Sequence, residues 1–216
     1  MPRVFFSLSI ILGAVFFFFS YLVSQELFTK VDFDITVKIQ DNISRQWDAP
    51  FTFLSLVGSA EITGLIWLGL LLWATFRKLW LTVGGLFFLV GAQIVEIFGK
   101  LLLFHPSPPF MFYRGVKIIT FPSHFIQTDY SYPSGHSMRT AFLVVFLFLL
   151  FAYKLPGISR VIAQGVVILF LFAMLVSRVY LGEHWTTDVI GGALLGGATG
   201  LLVAATLPVK RFTPQT

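Results

Sequence analysis

Apolar runs of about twenty residues recur along the chain, each long enough for a helix to cross a bilayer. They cover Val4 to about Val23, Phe51 to Thr75, Leu79 to Phe104, Pro133 to Tyr153, Val161 to Val176 and His184 to Leu207. Lipid offers no hydrogen bonds, so each run must satisfy its own backbone, and a helix does so without a partner strand. The expected fold is therefore an all-α integral membrane bundle of six transmembrane helices. Composition agrees: 12% of residues are charged, against roughly 25% in a soluble domain.

The first run reads as a retained helix, because Arg3 is a thin basic region and Ser24-Gln25-Glu26 a weak cleavage site. From Gln25 to Pro50 polar Asp32, Asp34, Lys38, Asp41, Arg45 and Asp48 interleave with apolar Phe28, Phe33, Ile35, Val37, Ile39, Ile43 and Trp47. Either an amphipathic segment on the membrane surface or a solvated loop fits that pattern. Ser55, Ser59 and Thr63, four apart in the second run, suit helix packing. Glu61 finds no partner from sequence.

Charge is segregated. Arg3, Arg77, Lys78, Lys154, Arg160, Lys210 and Arg211 fall on the side of the termini with no acid among them, and Glu26, Asp32, Asp34, Asp41, Asp48, Asp129, Glu183 and Asp188 on the other, mixed with a few cations. The positive side is expected to be cytoplasmic. The net charge of +5 thus reads as a topology signal, and no nucleic-acid partner is expected. Absence of cysteine excludes disulfides and thiolate chemistry.

Three polar clusters converge on the expected outer ends of the helices. In the first, Gln93, Glu96 and Lys100 share one face of the third span. Charges there cost roughly 2.5–3.5 kcal/mol each on insertion scales, so that face should line a cavity. In the second, Tyr132-Pro133-Ser134-Gly135-His136 opens the fourth helix, with Pro133 at its first position and the N–H groups of Ser134, Gly135 and His136 forming an anion cradle. In the third, Ser177-Arg178 precedes His184 and Asp188, which lie four apart. On one helix face the carboxylate can orient the imidazole as a nucleophile or base, and Arg178 can bind phosphoryl oxygens. Asp188, Gly192, Gly196 and Gly200 continue that face inward and allow close helix approach.

These clusters resemble the type 2 phosphatidic acid phosphatase family. Ser177, Arg178, His184 and Asp188 match its Ser-Arg-x5-His-x3-Asp block, and Pro133 to His136 match Pro-Ser-Gly-His. Its Lys-x6-Arg-Pro block is met by Lys100 and Pro108, but Ser107 stands in place of the arginine. Arg114 is the expected substitute cation, before Lys117 and His105, and Arg139, one turn past His136, is expected to face the same cavity.

The resemblance implies a single membrane domain, with a first transmembrane helix and outer amphipathic segment over 1–49 and a five-helix catalytic core over 50–207. It implies His184 as nucleophile, Asp188 as its orienter and His136 as acid then base, with Lys100, Ser134, Gly135, Arg178 and Arg114 holding phosphate. No metal or other cofactor is expected, since lysine and arginine beside the histidines oppose a cation. The implied partner is a phosphorylated lipid of the undecaprenyl diphosphate, phosphatidic acid or phosphatidylglycerophosphate kind, hydrolysed outside the cell membrane. A lipid phosphotransferase and a non-catalytic lipid-binding or transport relative are the alternatives.

Overall fold

The computed structural model describes residues 2–125, 128 and 130–208, and its secondary structure is helical throughout these. In chain order come α1 (Pro2–Ser24), α2 (Thr29–Asn42), α3 (Asp48–Val57), α4 (Ala60–Phe76), α5 (Trp80–Leu86), α6 (Phe88–Leu102), α7 (Gly135–Lys154), α8 (Gly157–Tyr180) and α9 (Thr186–Ala204). The expected positions of Asp129, Lys210 and Arg211 lie outside the described residues.

Five stretches are long and apolar enough to cross a membrane: α1, α5 with α6, α7, α8 and α9. The expected continuous span from Phe51 to Thr75 is instead broken, with a 41° bend between Arg45–Val57 and Ala60–Phe76, and the pair makes a sixth span if taken as one. Ser59 is the cause. Fully buried, its hydroxyl oxygen accepts the Ile62 N–H at 3.3 Å and restarts the helix as an N-cap. Gly58 fits the corner because a Cβ there would press on Met174 and Thr140. Of Ser55, Ser59 and Thr63, Ser59 makes the break, Thr63 bonds back to its carbonyl and Ser55 meets Arg178.

The core is built on α7 and α9, which run parallel, with α1 packed antiparallel along α9 and α8 beside α7. Glycines set the α7–α9 approach: a Cβ on Gly192 would collide with the Ser134 carbonyl, and one on Gly196 with that of Met138. Met138, Phe142, Phe146, Leu86 and Val203 fill the space around this pair. Outward-facing Phe17, Phe18, Leu65, Leu169 and Phe172 are more than 60% exposed, as expected for surfaces that meet lipid tails.

The segment after α1, left open as amphipathic or looped, is the helix α2 with its polar side inward. Asp32, Thr36 and Gln40 are buried, whereas Val31 and Phe33 are exposed. Gln40 Nε2 donates to the carbonyls of Phe112 (2.7 Å) and Tyr180 (2.9 Å), which fastens α2 over the end of α8. Polar contacts to backbone carbonyls decide this orientation, and they lie far off in sequence.

The connections after α1, α6 and α8 meet at one end of the bundle, joined by contacts such as Ser134 N–H to Asp188 O (2.9 Å). Arg3, Arg77, Lys78, Lys154 and Arg160 lie at the opposite helix ends, about 30 Å away at 1.5 Å per residue. Replacing Gly196 with Ala should overpack this pair by ~1–3 kcal/mol and lower the thermal midpoint in detergent. Gly13→Ala, whose Cβ would meet nothing within 4 Å, should cause no loss. Equal midpoints for the two variants would refute the close-approach account.

Candidate active site

The turn between α8 and α9 carries the central pair. Gly182 takes a φ of +67°, with the Phe112 carbonyl where a Cβ would stand, so only glycine fits this corner. The N–H groups of Glu183 and His184 then bond the Arg178 carbonyl, at 3.2 and 3.3 Å. α9 starts two residues after His184 and brings Asp188 beneath it, with Asp188 Oδ2 3.2 Å from His184 Nδ1. The same oxygen accepts the Trp185 N–H at 2.9 Å. A carboxylate accepts only, so Nδ1 carries the proton and Nε2 keeps its lone pair.

Burial lowers the pKa of His184 well below the ordinary imidazole value, and the positive charges of Arg178, Lys100 and Arg139 push the same way. Glu96 pushes the other way. The resting ring is therefore neutral, and the Asp188 carboxylate is set to stabilise positive charge as it forms. Both histidines fall within electrostatic reach of each other and of Arg178, Arg139 and Lys100.

A cavity of about 220 Å³ is lined by Gln93, Glu96, Lys100, Gly135, His136 and Arg139; His184, Asp188 and Arg178 are not part of its wall. The stripe expected on the third span is thus present on α6 and faces this space. Lys100 Nζ lies 2.8 Å from Glu96 Oε1, and Arg139 reaches Glu96 Oε2 at 3.5 Å and Gln93 Oε1 at 3.1 Å. Glu96 also rests against Gly135, where a Cβ would strike its carboxylate. An internal anion therefore sits at the start of α7 between two cations, as its positive end favours.

The cradle differs in detail from its expected form. Pro133 precedes α7, Ser134 is the N-cap, and the Tyr132–Pro133 peptide is cis. Fully buried Ser134 gives its N–H to the Asp188 carbonyl, and its hydroxyl oxygen accepts the Ser137 N–H at 3.4 Å. It is a strut between α7 and α9. Gly135 and His136 line the cavity.

Arg178 is buried, with its guanidinium on Ser55 Oγ and Glu183 Oε2. Arg114, the expected substitute for Ser107, is not brought to the cavity. Its backbone N–H bonds the Leu181 carbonyl at 3.0 Å, which turns the guanidinium over the Tyr180 ring (5.2 Å) and toward the Ile43 carbonyl (3.3 Å). Lys117 lines a second cavity of about 670 Å³ with Ser55, Ser123 and Glu183, and His105 lies behind Asp188. Of the four cations considered, only Arg139 lines the cavity beside His136.

Sequence reasoning missed Asp32, whose carboxylate accepts from the Thr187 N–H (2.9 Å) and hydroxyl (2.6 Å) at the start of α9. No local signal ties it to a residue 155 positions on. Glu61 also gains a partner, accepting from the Ser123 N–H (2.8 Å) and hydroxyl (2.9 Å).

Residues 80–212 match the PAP2 superfamily, and the chain belongs to it. It is 40% identical over 89 residues to phosphatidylglycerophosphatase B of Bacillus subtilis and 40% over 88 residues to undecaprenyl-diphosphatase of Sulfolobus acidocaldarius. The matched parts are 40% and 39% of this chain, and 44% and 39% of those relatives, so each alignment spans under half of either protein. The fold is shared with a transmembrane PAP2-type phosphatidylglycerolphosphate phosphatase from Bacillus subtilis, at a TM-score of 0.63 and 19% identity over 90% of this chain and 93% of the other.

Proposed function

We propose that this member of the PAP2 superfamily is a membrane phosphatase that hydrolyses lipid phosphates or diphosphates through a phosphohistidine on His184. One observation carries the reading: a neutral histidine oriented by a buried carboxylate stands within electrostatic reach of Lys100, Arg139 and Arg178. A nucleophile among cations suits attack on a phosphoryl group, whose charge rises on the non-bridging oxygens in the transition state.

His184 Nε2 donates its lone pair to phosphorus as the bond to the leaving oxygen breaks. His136, on the cavity wall, takes up a proton as the anionic headgroup settles beside it and, as imidazolium, gives that proton to the leaving oxygen. Asp188 keeps the Nδ1 proton and stabilises the imidazolium. Water then attacks the phosphohistidine, His136 takes the water proton, and His184 leaves as neutral imidazole. Lys100, Arg178 and the start of α7 at Gly135 hold the oxygens, and Arg139 supplies the cation missing at Ser107. Glu96 keeps Lys100 and Arg139 in place before substrate arrives, and phosphate competes with it for them. The clustered cations supply the charge stabilisation, and the reaction proceeds without a metal.

The substrate is a phosphorylated lipid of the phosphatidylglycerophosphate or undecaprenyl diphosphate kind, in line with the names of the two relatives. The larger cavity adjoins the first at Ser123, and its polar wall of Thr52, Ser55 and Lys117 suits the rest of a headgroup. Basic residues gathered at the far helix ends support an active site on the extracytoplasmic side.

The test is phosphate release by purified protein in detergent from phosphatidic acid, phosphatidylglycerophosphate and undecaprenyl diphosphate. Wild-type protein should turn over at least one of them, and His184→Ala none. Arg139→Ala should cost about 100-fold in kcat/KM, in the range of a lost transition-state donor, and Arg114→Ala less than about 5-fold. Turnover by His184→Ala would end the phosphohistidine reading. Equal losses in the two arginine variants would end the assignment of Arg139.

A further inference from the structure

The proposed mechanism uses one oxygen of Asp188. The other, Oδ1, is fully enclosed: His105 Nε2 faces it at 3.4 Å, and the Ser131 hydroxyl lies within reach of the same carboxylate. His105 is itself buried, reached from the loop after α6, and its carbonyl is held by the N–H and hydroxyl of Ser131, both at 3.0 Å. Its Nε2 also lies 3.1 Å from Thr187 Oγ1 and 3.8 Å from Asp32 Oδ2.

Proton counting fixes the direction of these contacts. The Thr187 hydroxyl has one proton, and it points to Asp32 Oδ2 at 2.6 Å. Toward His105 that oxygen can then only accept, so His105 Nε2 carries a hydrogen. That hydrogen goes to Thr187 Oγ1, and Asp188 Oδ1 stands 3.4 Å from the same nitrogen as an electrostatic contact. Asp32 completes the set by accepting the Thr187 N–H at 2.9 Å, within the first turn of α9.

We infer that His105, held by Thr187 and Asp32, is a positioning residue that fixes the Asp188 carboxylate from behind so that its other oxygen meets His184. The order runs Asp32–Thr187–His105–Asp188–His184, and it makes α2, outside the matched residues 80–212, part of the catalytic apparatus. His105 is thereby not a phosphate ligand: it addresses the opposite oxygen of Asp188 from the one that meets the nucleophile. Its electrostatic role is local. Asp32 from α2, Asp188 from α9 and His105 from the loop are the titratable groups that meet here, with the Tyr132 ring edge-on at 6.2 Å.

This rests on His184 acting as nucleophile, so the experiment carries a control for that. His105→Phe keeps ring volume and removes the N–H, and His105→Gln keeps a side-chain N–H donor at a similar reach. Steady-state kinetics on phosphatidic acid and farnesyl diphosphate in mixed micelles should give a kcat for His105→Phe about 100-fold below wild type, the size of effect a misplaced reacting group has. KM should stay within about 2-fold, because no phosphate contact is lost, and His105→Gln should recover to within about 5-fold of wild-type kcat. Thr187→Val, which cuts the link to Asp32, should lower kcat in the same way and stands in for His105→Phe if that variant fails to fold. Wild-type kcat in the Phe or Val variant, a loss expressed in KM, or a Gln variant no better than Phe would overturn the inference. His184→Ala is measured alongside, and its activity would overturn the nucleophile reading instead.

Discussion

A buried carboxylate in a membrane protein is tolerated only where its lone pairs are met, and at Asp188 that requirement ties four separate segments together. Its backbone carbonyl takes the N–H of Ser134 at the start of α7, and one side-chain oxygen takes the N–H of Trp185 and faces His184. The other oxygen faces His105 from the loop after α6, beside the Asp32–Thr187 contact that draws in α2. Gly192, one turn further, lets α7 and α9 close on each other directly beneath. Helix packing and site geometry are thus one constraint: the same residues that seat α9 against α7 aim the imidazole.

The cation side follows a similar logic. Lys100 and Arg139 enter a largely apolar bundle, and the single carboxylate of Glu96 is shared between them on the same cavity wall. Removing one partner of a buried pair strands the other, at about 3–5 kcal/mol. The stripe therefore holds these side chains in place and, in the proposed mechanism, keeps the charge that an incoming phosphate would meet. Arg178 is stored likewise, on Ser55 and Glu183.

What was legible in the sequence is what is local in the chain. The stripe of Gln93, Glu96 and Lys100 on α6 and the glycines of α9 depend on helical periodicity, which sequence carries directly, whereas His184 stands two residues before α9 and meets Asp188 across the helix cap. Features set by distant contacts were not legible. The break at Gly58–Ser59 lies in an apolar run without proline, and it is made by a cap and by Met174 packing from α8. Arg114, the expected substitute for the arginine absent at Ser107, is carried away by its backbone bond to Leu181. Arg139, on a different helix, enters the cavity because helical spacing from His136 puts it there. The inward polar face of α2 reverses the usual reading of an amphipathic helix, since its partners are backbone carbonyls and the first turn of α9.

The central claim is that a positioned imidazole, backed by Asp188 and surrounded by cations, takes the phosphoryl group onto its own nitrogen. The most direct measurement is an alkaline quench during turnover of a radiolabelled lipid phosphate, followed by peptide mapping of the trapped protein. Label is predicted on the peptide containing His184, stable in alkali and lost in acid as a phosphoramidate is. Rapid phosphate release with no label on that peptide, or label on another residue, would contradict the account.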